Sequence, residues 1–404
     1  MQRRREPEHP GTGRADDFGY LGPGDIYLDS ACQSLRPQPV LDALTEYYTQ
    51  YNACGGRVKY AWGTRVDDAV ESTRTALLDL LGLSGRAYAV SFTLNTTYGL
   101  NLLLAQLPQE RYLRIVTSHV EHNSVFLPTM TAARRLGVER LVLEREADGA
   151  LRYDPAQLER AIVVVNAVSN IDGRELVNLR ELVRDAHARG GIVIVDAAQA
   201  MAHGRALLAK TEADAICFSA HKMYGASLGV VVARRELLAS LEIGFVGGGM
   251  VTDVREDDFD LAEHDPGSLL EPGLQPWGEI IALGAATRWI TRVHPEGRTP
   301  EEHITALSTR LYEGLAGIPQ LTLLNTGPSA VISLHAPRTD SHRLAVFLSH
   351  SGVMVRSGYF CAHHYLKEQL GLPPLLRFSL GLHSTEGDID IAVDSLARLM
   401  KGLR

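Results

Sequence analysis

The chain has 404 residues, 45% of them hydrophobic and 22% charged, with a formal net charge of −8. That is the composition of a soluble globular protein with one large domain or two, and mild acidity without basic clusters argues against nucleic acid as a partner. No run approaches the roughly 18 apolar residues of a membrane span, and four scattered cysteines (Cys32, Cys54, Cys217, Cys361) without a C-x-x-C pair argue against a disulfide scaffold or cysteine-rich metal site and for a reducing cytosol.

The charged, Pro/Gly-rich residues 1–17 read as a flexible tail with no apolar signal segment. Ile26–Ser30 is a short extended piece, and Pro37 and Pro39 open a helix running to about Asn52. Apolar residues at helical spacing predict a second helix, Val66–Leu81, ended by Gly82. A regular rhythm then begins: strand Tyr88–Phe92, a helix capped at Asn95 and reaching Leu104, strand Leu113–Thr117, helix Asn123–Leu136 and strand Arg140–Leu143. Strand Ala161–Asn166, helix Asn178–Arg189 and strand Ile192–Asp196 follow, then the apolar runs Ala215–Phe218 and Leu228–Val232. Strands alternating with helices over residues 88–234 predict a mostly parallel sheet with helices on both faces. Beyond it, Gly247–Gly249 and Pro266–Pro276 read as loops and Gly278–Val293 as a long helix. From about Thr299 the order is helix, two strands, helix, two strands, helix, a smaller α+β domain with a loop around Arg356–His364.

The segment Ala213–Gly225 concentrates reactive side chains at a strand end: Ser219, His221 and Lys222. A lysine held there has its ammonium disfavoured, and a neutral amine condenses with carbonyl groups; taken alone, it reads more simply as a strand-end lysine turned to solvent. Ligands of open α/β sheets lie beyond the carboxyl ends of the strands, where this chain places a consistent set. Asp196 ends the apolar run Ile192–Val195, a setting in which a carboxylate needs a cationic or strongly donating partner. Asn95-Thr96-Thr97 is a phosphate cradle or a plain helix cap. His122 is a face that stacks on a flat ring or a structural histidine, and Asn170 and Gln199 hydrogen-bond a ring substituent or satisfy loop backbone. Lysine, acid, phosphate site and stacking face are together what pyridoxal 5′-phosphate requires. Cys361 follows Arg356 and Gly358 and precedes His363 and His364, a cationic setting that favours the reactive thiolate. Its other reading is an inert cysteine packed beside Phe360. Cys32, Cys54 and Cys217 lack such a setting and read as structural.

Asp196-x-x-Gln199, with Ser219-x-His-Lys222 ending 26 residues after the aspartate, resembles fold-type I pyridoxal-phosphate enzymes of the class V aminotransferase family. Further motifs are most similar to the group II (SUF-type) cysteine desulfurases: Leu28-Asp-Ser-Ala31, Thr96-Thr97, Glu121-His122, Val168-Ser-Asn170, Gly247-Gly-Gly249, Glu271-x-Gly273, Val355-Arg-Ser-Gly-x-x-Cys361-Ala362 and Leu376-Arg-x-Ser-Leu380. The likeness runs from about Tyr27 to Met400. It implies an α/β fold with a mostly parallel central sheet flanked by helices. A large cofactor-binding domain would span residues 18–283, with 18–40 packing on the small domain, and a small C-terminal α+β domain would span 284–404 and carry the Cys361 loop and Arg377.

The resemblance further implies that Lys222 holds the cofactor and moves the Cα proton, Asp196 pairs with the pyridine nitrogen, and His122 is catalytic, stacking on the ring and assisting proton transfer. Thr96, Thr97, Ser219 and His221 would hold the phosphate, with Gln199 near the ring hydroxyl. Arg377, with Asn170 and Arg356, would clamp the substrate carboxylate. Cys361 would take sulfur from bound L-cysteine as a persulfide for an acceptor protein, leaving alanine. The implied assembly is a cytoplasmic homodimer without a metal, serving sulfur mobilisation such as iron–sulfur cluster assembly. Selenocysteine lyase, or a class V lyase, aminotransferase or epimerase in which Cys361 is incidental, are the neighbouring activities. The chain departs from the family pattern at Tyr359-Phe360, where a histidine usually precedes the cysteine. It departs again at Gly273-Leu-Gln-Pro276, where relatives carry a threonine that reaches the partner subunit's phosphate and Gln275 is the candidate replacement. Asn95, Tyr98 and Ser384-Thr385 also differ, changes that bear on substrate or acceptor rather than on the cofactor site.

Overall fold

The computed structural model describes residues 17–56, 58–262 and 266–402; apart from Asp17, the tail expected over residues 1–17 lies outside them. A short strand, β1 (Ile26–Tyr27), precedes two helices, Gln38–Gln50 and Ala61–Leu81. The second helix begins five residues earlier than its apolar spacing predicts, because its first turn carries the exposed Trp62 and so shows no buried stripe to read.

Seven strands form the central sheet: β2 (Tyr88–Thr93), β3 (Arg114–Ser118), β4 (Glu139–Leu143), β5 (Ala161–Asn166), β6 (Ile192–Asp196), β7 (Ala215–Ser219) and β8 (Gly229–Arg234). Their order is β2-β8-β7-β6-β5-β3-β4, and β8 alone runs against the rest. The central strands are unbroken apolar runs because helices cover both faces. Val193, Val195, Ile216 and Phe218 point into one core with Leu77 and Leu81, while Ile192, Ile194 and Ala215 point into another with Leu100 and Leu103. The register sets the ends of β5, β6 and β7 level: Asn166 pairs with Asp196, and Asp196 with Cys217. Gly229 lies opposite both Thr93 and Ser219, and a Cβ there would collide with the Asn95 backbone, so glycine lets the turn after β2 close against β8.

Between the loops expected at Gly247–Gly249 and Pro266–Pro276, in a stretch where no element was expected, lies a hairpin, β9 (Val251–Val254) with β10 (Phe259–Leu261). Its side chains are mostly exposed, so no buried face marks it in the sequence. Helix Trp277–Ile290 packs on Ala61–Leu81 and Gln38–Gln50. Beyond it lie β11 (Thr322–Leu323), β12 (Val331–His335), β13 (Val353–Met354), β14 (Arg356–Gly358) and β15 (Leu375–Ser379). Four of them form an antiparallel sheet in the order β11-β12-β15-β14, with helices Pro300–Ala316, Ser341–His350 and Glu386–Gly402 around it. Arg356 is therefore a strand residue, directly opposite Arg377, and not part of the loop expected over Arg356–His364. The loop proper is Tyr359–Ala362, followed by a helical turn at His364–Gln369. β1 pairs with β13 and Asp29 bridges Ser379, so the start of the chain crosses to this second sheet.

Candidate active site

Beyond the ends of β2, β5, β6 and β7 lies a cavity of about 230 Å³. Nine of the residues singled out in the sequence line it: Thr96, Thr97, His122, Asn170, Asp196, Gln199, Ser219, His221 and Lys222. Asn95 caps helix Thr96–Gln106 by accepting from the Tyr98 N–H at 2.9 Å. The threonines are thereby released from capping. Thr96 Oγ1 lies 2.7 Å from Ser219 Oγ, and Thr97 Oγ1 lies 2.6 Å from Ser124 Oγ. Four hydroxyls thus gather at the positive end of an eleven-residue helix.

Lys222 follows β7 on a single helical turn, Ala220–Lys222, and burial lowers its pKa against the opposing pull of Asp196. Asp196 is 4% exposed and accepts one hydrogen bond, from the Ala198 N–H at 2.9 Å. Burial raises its pKa, and only that hydrogen bond and the Lys222 charge oppose the rise. Among the described residues no cation bonds to it directly. Gln199 donates to the Ala31 carbonyl at 2.7 Å, which ties the cavity wall to the N-terminal crossover.

His122 precedes helix Asn123–Leu136, and its Nδ1 accepts from the Ser124 N–H at 3.0 Å. Burial, with Lys222 and Arg377 nearby, pushes its pKa down to about 3, so the ring is neutral throughout the working range. His221 is held down to about 4, again first by burial. The His122 segment is fixed from behind by a buried network. Asn166 donates to Glu121 Oε2 from both its backbone N–H and Nδ2 at 2.8 Å, Ser118 donates to Glu121 Oε1 at 2.6 Å, and Arg145 donates to Asn166 Oδ1 at 2.6 Å.

Burial raises the Glu121 pKa from 4.5 to about 7. The folded protein therefore keeps a proton there that the unfolded chain releases, and stability falls as pH rises from about 4.5 to 7, by about 3 kcal/mol in all. Glu121→Gln places an amide where the protonated acid sits, with oxygen toward Asn166 and nitrogen toward Ser118. Melting temperatures measured from pH 5 to 8 are expected to decline less in this variant than in the parent. Parallel profiles would show that Glu121 does not ionise in that window.

Arg377, Arg356 and Cys361 stand beside the cavity rather than in its lining. Arg377 Nη1 donates to the Asn170 carbonyl at 3.0 Å and Nη2 to Asp29 Oδ1 at 3.2 Å, while its buried Nε–H has no acceptor. Asp29 also faces Arg356 at 3.7 Å and so sits between two guanidinium groups. Sequence reasoning gave Asp29 no role; its place in Leu28-Asp-Ser-Ala31 was the signal available.

Cys361 is exposed, on a turn where Phe360 and Cys361 take successive left-handed conformations (φ 48° and 57°). Such non-glycine geometry costs about 1–3 kcal/mol per residue and persists only where its surroundings enforce it. Here Asn170 Nδ2 donates to the Phe360 carbonyl at 2.8 Å, and the Asn123 N–H donates to the Cys361 carbonyl at 2.6 Å, one residue from His122. The Phe360 ring lies under the Arg377 guanidinium at 4.7 Å. The neighbouring histidines turn to other partners. His364 stacks on Phe126 and His363 meets Tyr359 and the Asn123 amide, so neither hydrogen-bonds the thiol. Among the other cysteines, Cys217 is buried mid-strand, whereas Cys32 is partly exposed beside this site.

The family model described as Aminotransferase class-V matches residues 26–391. A probable cysteine desulfurase of Pseudomonas aeruginosa is 32% identical over 397 residues, covering 95% of this chain and 96% of that protein. One from Pyrococcus abyssi is 30% identical over 396 residues, covering 94% and 95%. Among solved structures, the cysteine desulfurase CsdA of Escherichia coli, in an S-sulfonic acid form, superposes with a TM-score of 0.85 at 25% identity, covering 98% of this chain and 99% of that one. The apo cysteine desulfurase of Thermococcus onnurineus gives 0.82 at 29% identity, covering 93% and 95%.

Proposed function

The chain belongs to the class V aminotransferase family, and from that we infer that it is a pyridoxal 5′-phosphate-dependent cysteine desulfurase, which takes the sulfur of L-cysteine and leaves L-alanine. The observation that carries this to the chain's own residues is a pair of incomplete groups, one lining the cavity and one beside it. Asp196 is buried without a bonded cation among the described residues, and the Arg377 Nε–H is buried without an acceptor. A protonated ring nitrogen fits the first and a substrate carboxylate the second. The hydroxyls of Thr96, Thr97, Ser124 and Ser219 at a helix N-terminus fit a phosphate, with the neutral His221 beside them.

When bound, the cofactor supplies an aldehyde and a ring that draws electrons from the substrate's Cα. Lys222 offers an amine that burial makes easier to deprotonate, and that amine would hold the aldehyde and move the substrate's Cα proton. Asp196 would hold a proton on the ring nitrogen, and Gln199 would serve the ring hydroxyl. His122, being neutral, would offer its face to the ring without adding charge. Arg377 binds the substrate carboxylate through Nε and Nη2, Asn170 fixes the guanidinium from its carbonyl, and Arg356 acts through the shared Asp29. Cys361, pinned at two successive carbonyls, attacks the substrate sulfur as a thiolate and becomes the persulfide from which an acceptor protein is charged.

Residues 18–283 serve the cofactor and 284–404 bring Arg377 and Cys361 to it. The working form in this reading is a cytoplasmic homodimer supplying sulfur for iron–sulfur clusters. The exposed Phe245, Val246 and Leu274 favour the dimer, since they are large apolar side chains left in solvent on loops joined by a Gly273 N–H to Gly248 carbonyl bond of 2.7 Å. Gln275 bonds its own loop through the Glu271 carbonyl at 3.0 Å, so reaching a partner's phosphate requires it to let go.

Incubating the holoenzyme with L-cysteine and a reductant is expected to yield alanine and sulfide in equal amounts; pyruvate with ammonia would mean simple β-elimination and overturn the assignment. Arg377→Lys keeps the charge but loses the planar fork. KM for L-cysteine is expected to rise by about 10- to 100-fold, the loss of one or two charge-assisted hydrogen bonds, with kcat less affected. An unchanged KM would place the carboxylate elsewhere.

A further inference from the structure

Two thiols stand beside this site, on segments distant in the chain. Cys32 is partly exposed, in a turn whose Cys32 and Gln33 N–H groups both donate to the Asp29 carbonyl. That turn is fastened to three parts of the site. Asp29 bonds Arg377, the Ala31 carbonyl accepts from Gln199, and Ser34 Oγ bonds the His221 carbonyl at 3.0 Å, next to Lys222. Phe360 lies under the same Arg377, and Cys361 is the next residue. Arg377 is thus gripped on one side three residues before Cys32 and on the other one residue before Cys361. Both thiols also lie close enough to Lys222 to act on its charge.

We propose that Cys32 is a second reacting thiol of the site, which discharges the persulfide on Cys361 by forming a Cys32–Cys361 disulfide. This rests on Cys361 receiving the sulfur, as inferred above. The Cys32 thiolate attacks the inner sulfur of Cys361–S–SH, the persulfide S–S bond breaks, and the outer sulfur leaves with the electron pair as hydrosulfide, which takes up the proton that Cys32 gave up. The two thiol sulfurs are oxidised to the disulfide as the sulfane sulfur is reduced to sulfide, so the step needs no external oxidant. A dithiol then restores both thiols. An acceptor protein competes with Cys32 for the persulfide, so the disulfide forms when no acceptor is engaged and halts turnover until it is reduced.

The test uses holoenzyme with limiting L-cysteine and no reductant, quenched in acid with an alkylating agent and mapped by peptide mass spectrometry. A disulfide needs its Cα atoms within about 7 Å, so the cross-linked peptide itself reports whether the two turns meet. The parent is expected to give that peptide and free sulfide after a single turnover. Cys32→Ala is expected to keep the persulfide on Cys361 and to release sulfide only after a dithiol is added, and Cys54→Ala is expected to match the parent. A persulfide on Cys361 of the parent with Cys32 still alkylatable overturns the proposal, as does sulfane sulfur found on Cys32 without a cross-link; in both cases alanine formation leaves the desulfurase reading intact. Absence of sulfur from Cys361 in the parent and in Cys32→Ala alike, with no cross-link, overturns both.

Discussion

Lys222→Ala is expected to leave a folded protein that takes up pyridoxal 5′-phosphate without holding it covalently and that forms alanine at least ~10³-fold more slowly, since a positioned proton carrier alone contributes about 10²–10⁴. The physical ground is where the side chain stands. Its amine follows β7 beside Asp196, with its pKa lowered by burial, and no second lysine lines the cavity to replace it. The remaining contacts are untouched by the substitution: none of the hydroxyls around Thr96 and Thr97, the Asp196 carboxylate or the His122 face hydrogen-bonds the Lys222 side chain. Cofactor should therefore be retained on a desalting column only weakly, and borohydride should fix none of it to the protein. Wild-type turnover in this variant would remove Lys222 from the chemistry.

Cys361→Ser separates cofactor chemistry from sulfur chemistry. The hydroxyl occupies nearly the same space, and both carbonyl bonds that hold the turn come from main-chain oxygens of Phe360 and Cys361, which the substitution leaves in place. Cofactor binding and the spectral response to L-cysteine are expected to persist, while alanine and sulfide fall to the level of the enzyme-free blank, because an alcohol at neutral pH does not supply the anionic nucleophile that a thiol does. Alanine produced at the parent rate would leave the cofactor assignment in place and make Cys361 incidental.

The central sheet and its polar strand ends were readable because a strand covered on both faces must be an unbroken apolar run. The first charged or polar residue after such a run then marks the end where ligands sit. Asn166, Asp196 and Ser219 close β5, β6 and β7 in that way, and the predicted bounds Ala161–Asn166 and Ile192–Asp196 match the observed strands. Elements without a buried face gave no such mark. The hairpin Val251–Leu261 is mostly exposed, as is the first turn of Ala61–Leu81 apart from Gly63, and Arg356–Gly358 becomes a strand only by pairing with Leu375–Arg377 of β15. The directions of His363 and His364 were equally hidden, since adjacency to Cys361 in sequence does not say that their rings turn to Tyr359 and Phe126.

By itself the sequence determined the order of the central strands and their helices, an amine and an acid at strand ends, and the candidate thiol, because each follows from local burial pattern and residue chemistry. Only the tertiary structure decided that Asp29 lies between Arg377 and Arg356, a contact spanning 348 residues of chain for Arg377, and that the turn carrying Cys32 is bonded to Arg377 and Gln199. Those placements depend on β1 crossing to pair with β13 and on the register of β14 against β15. Pairing between strands distant in the chain is set by how whole surfaces fit together, and no stretch of residues encodes that alone.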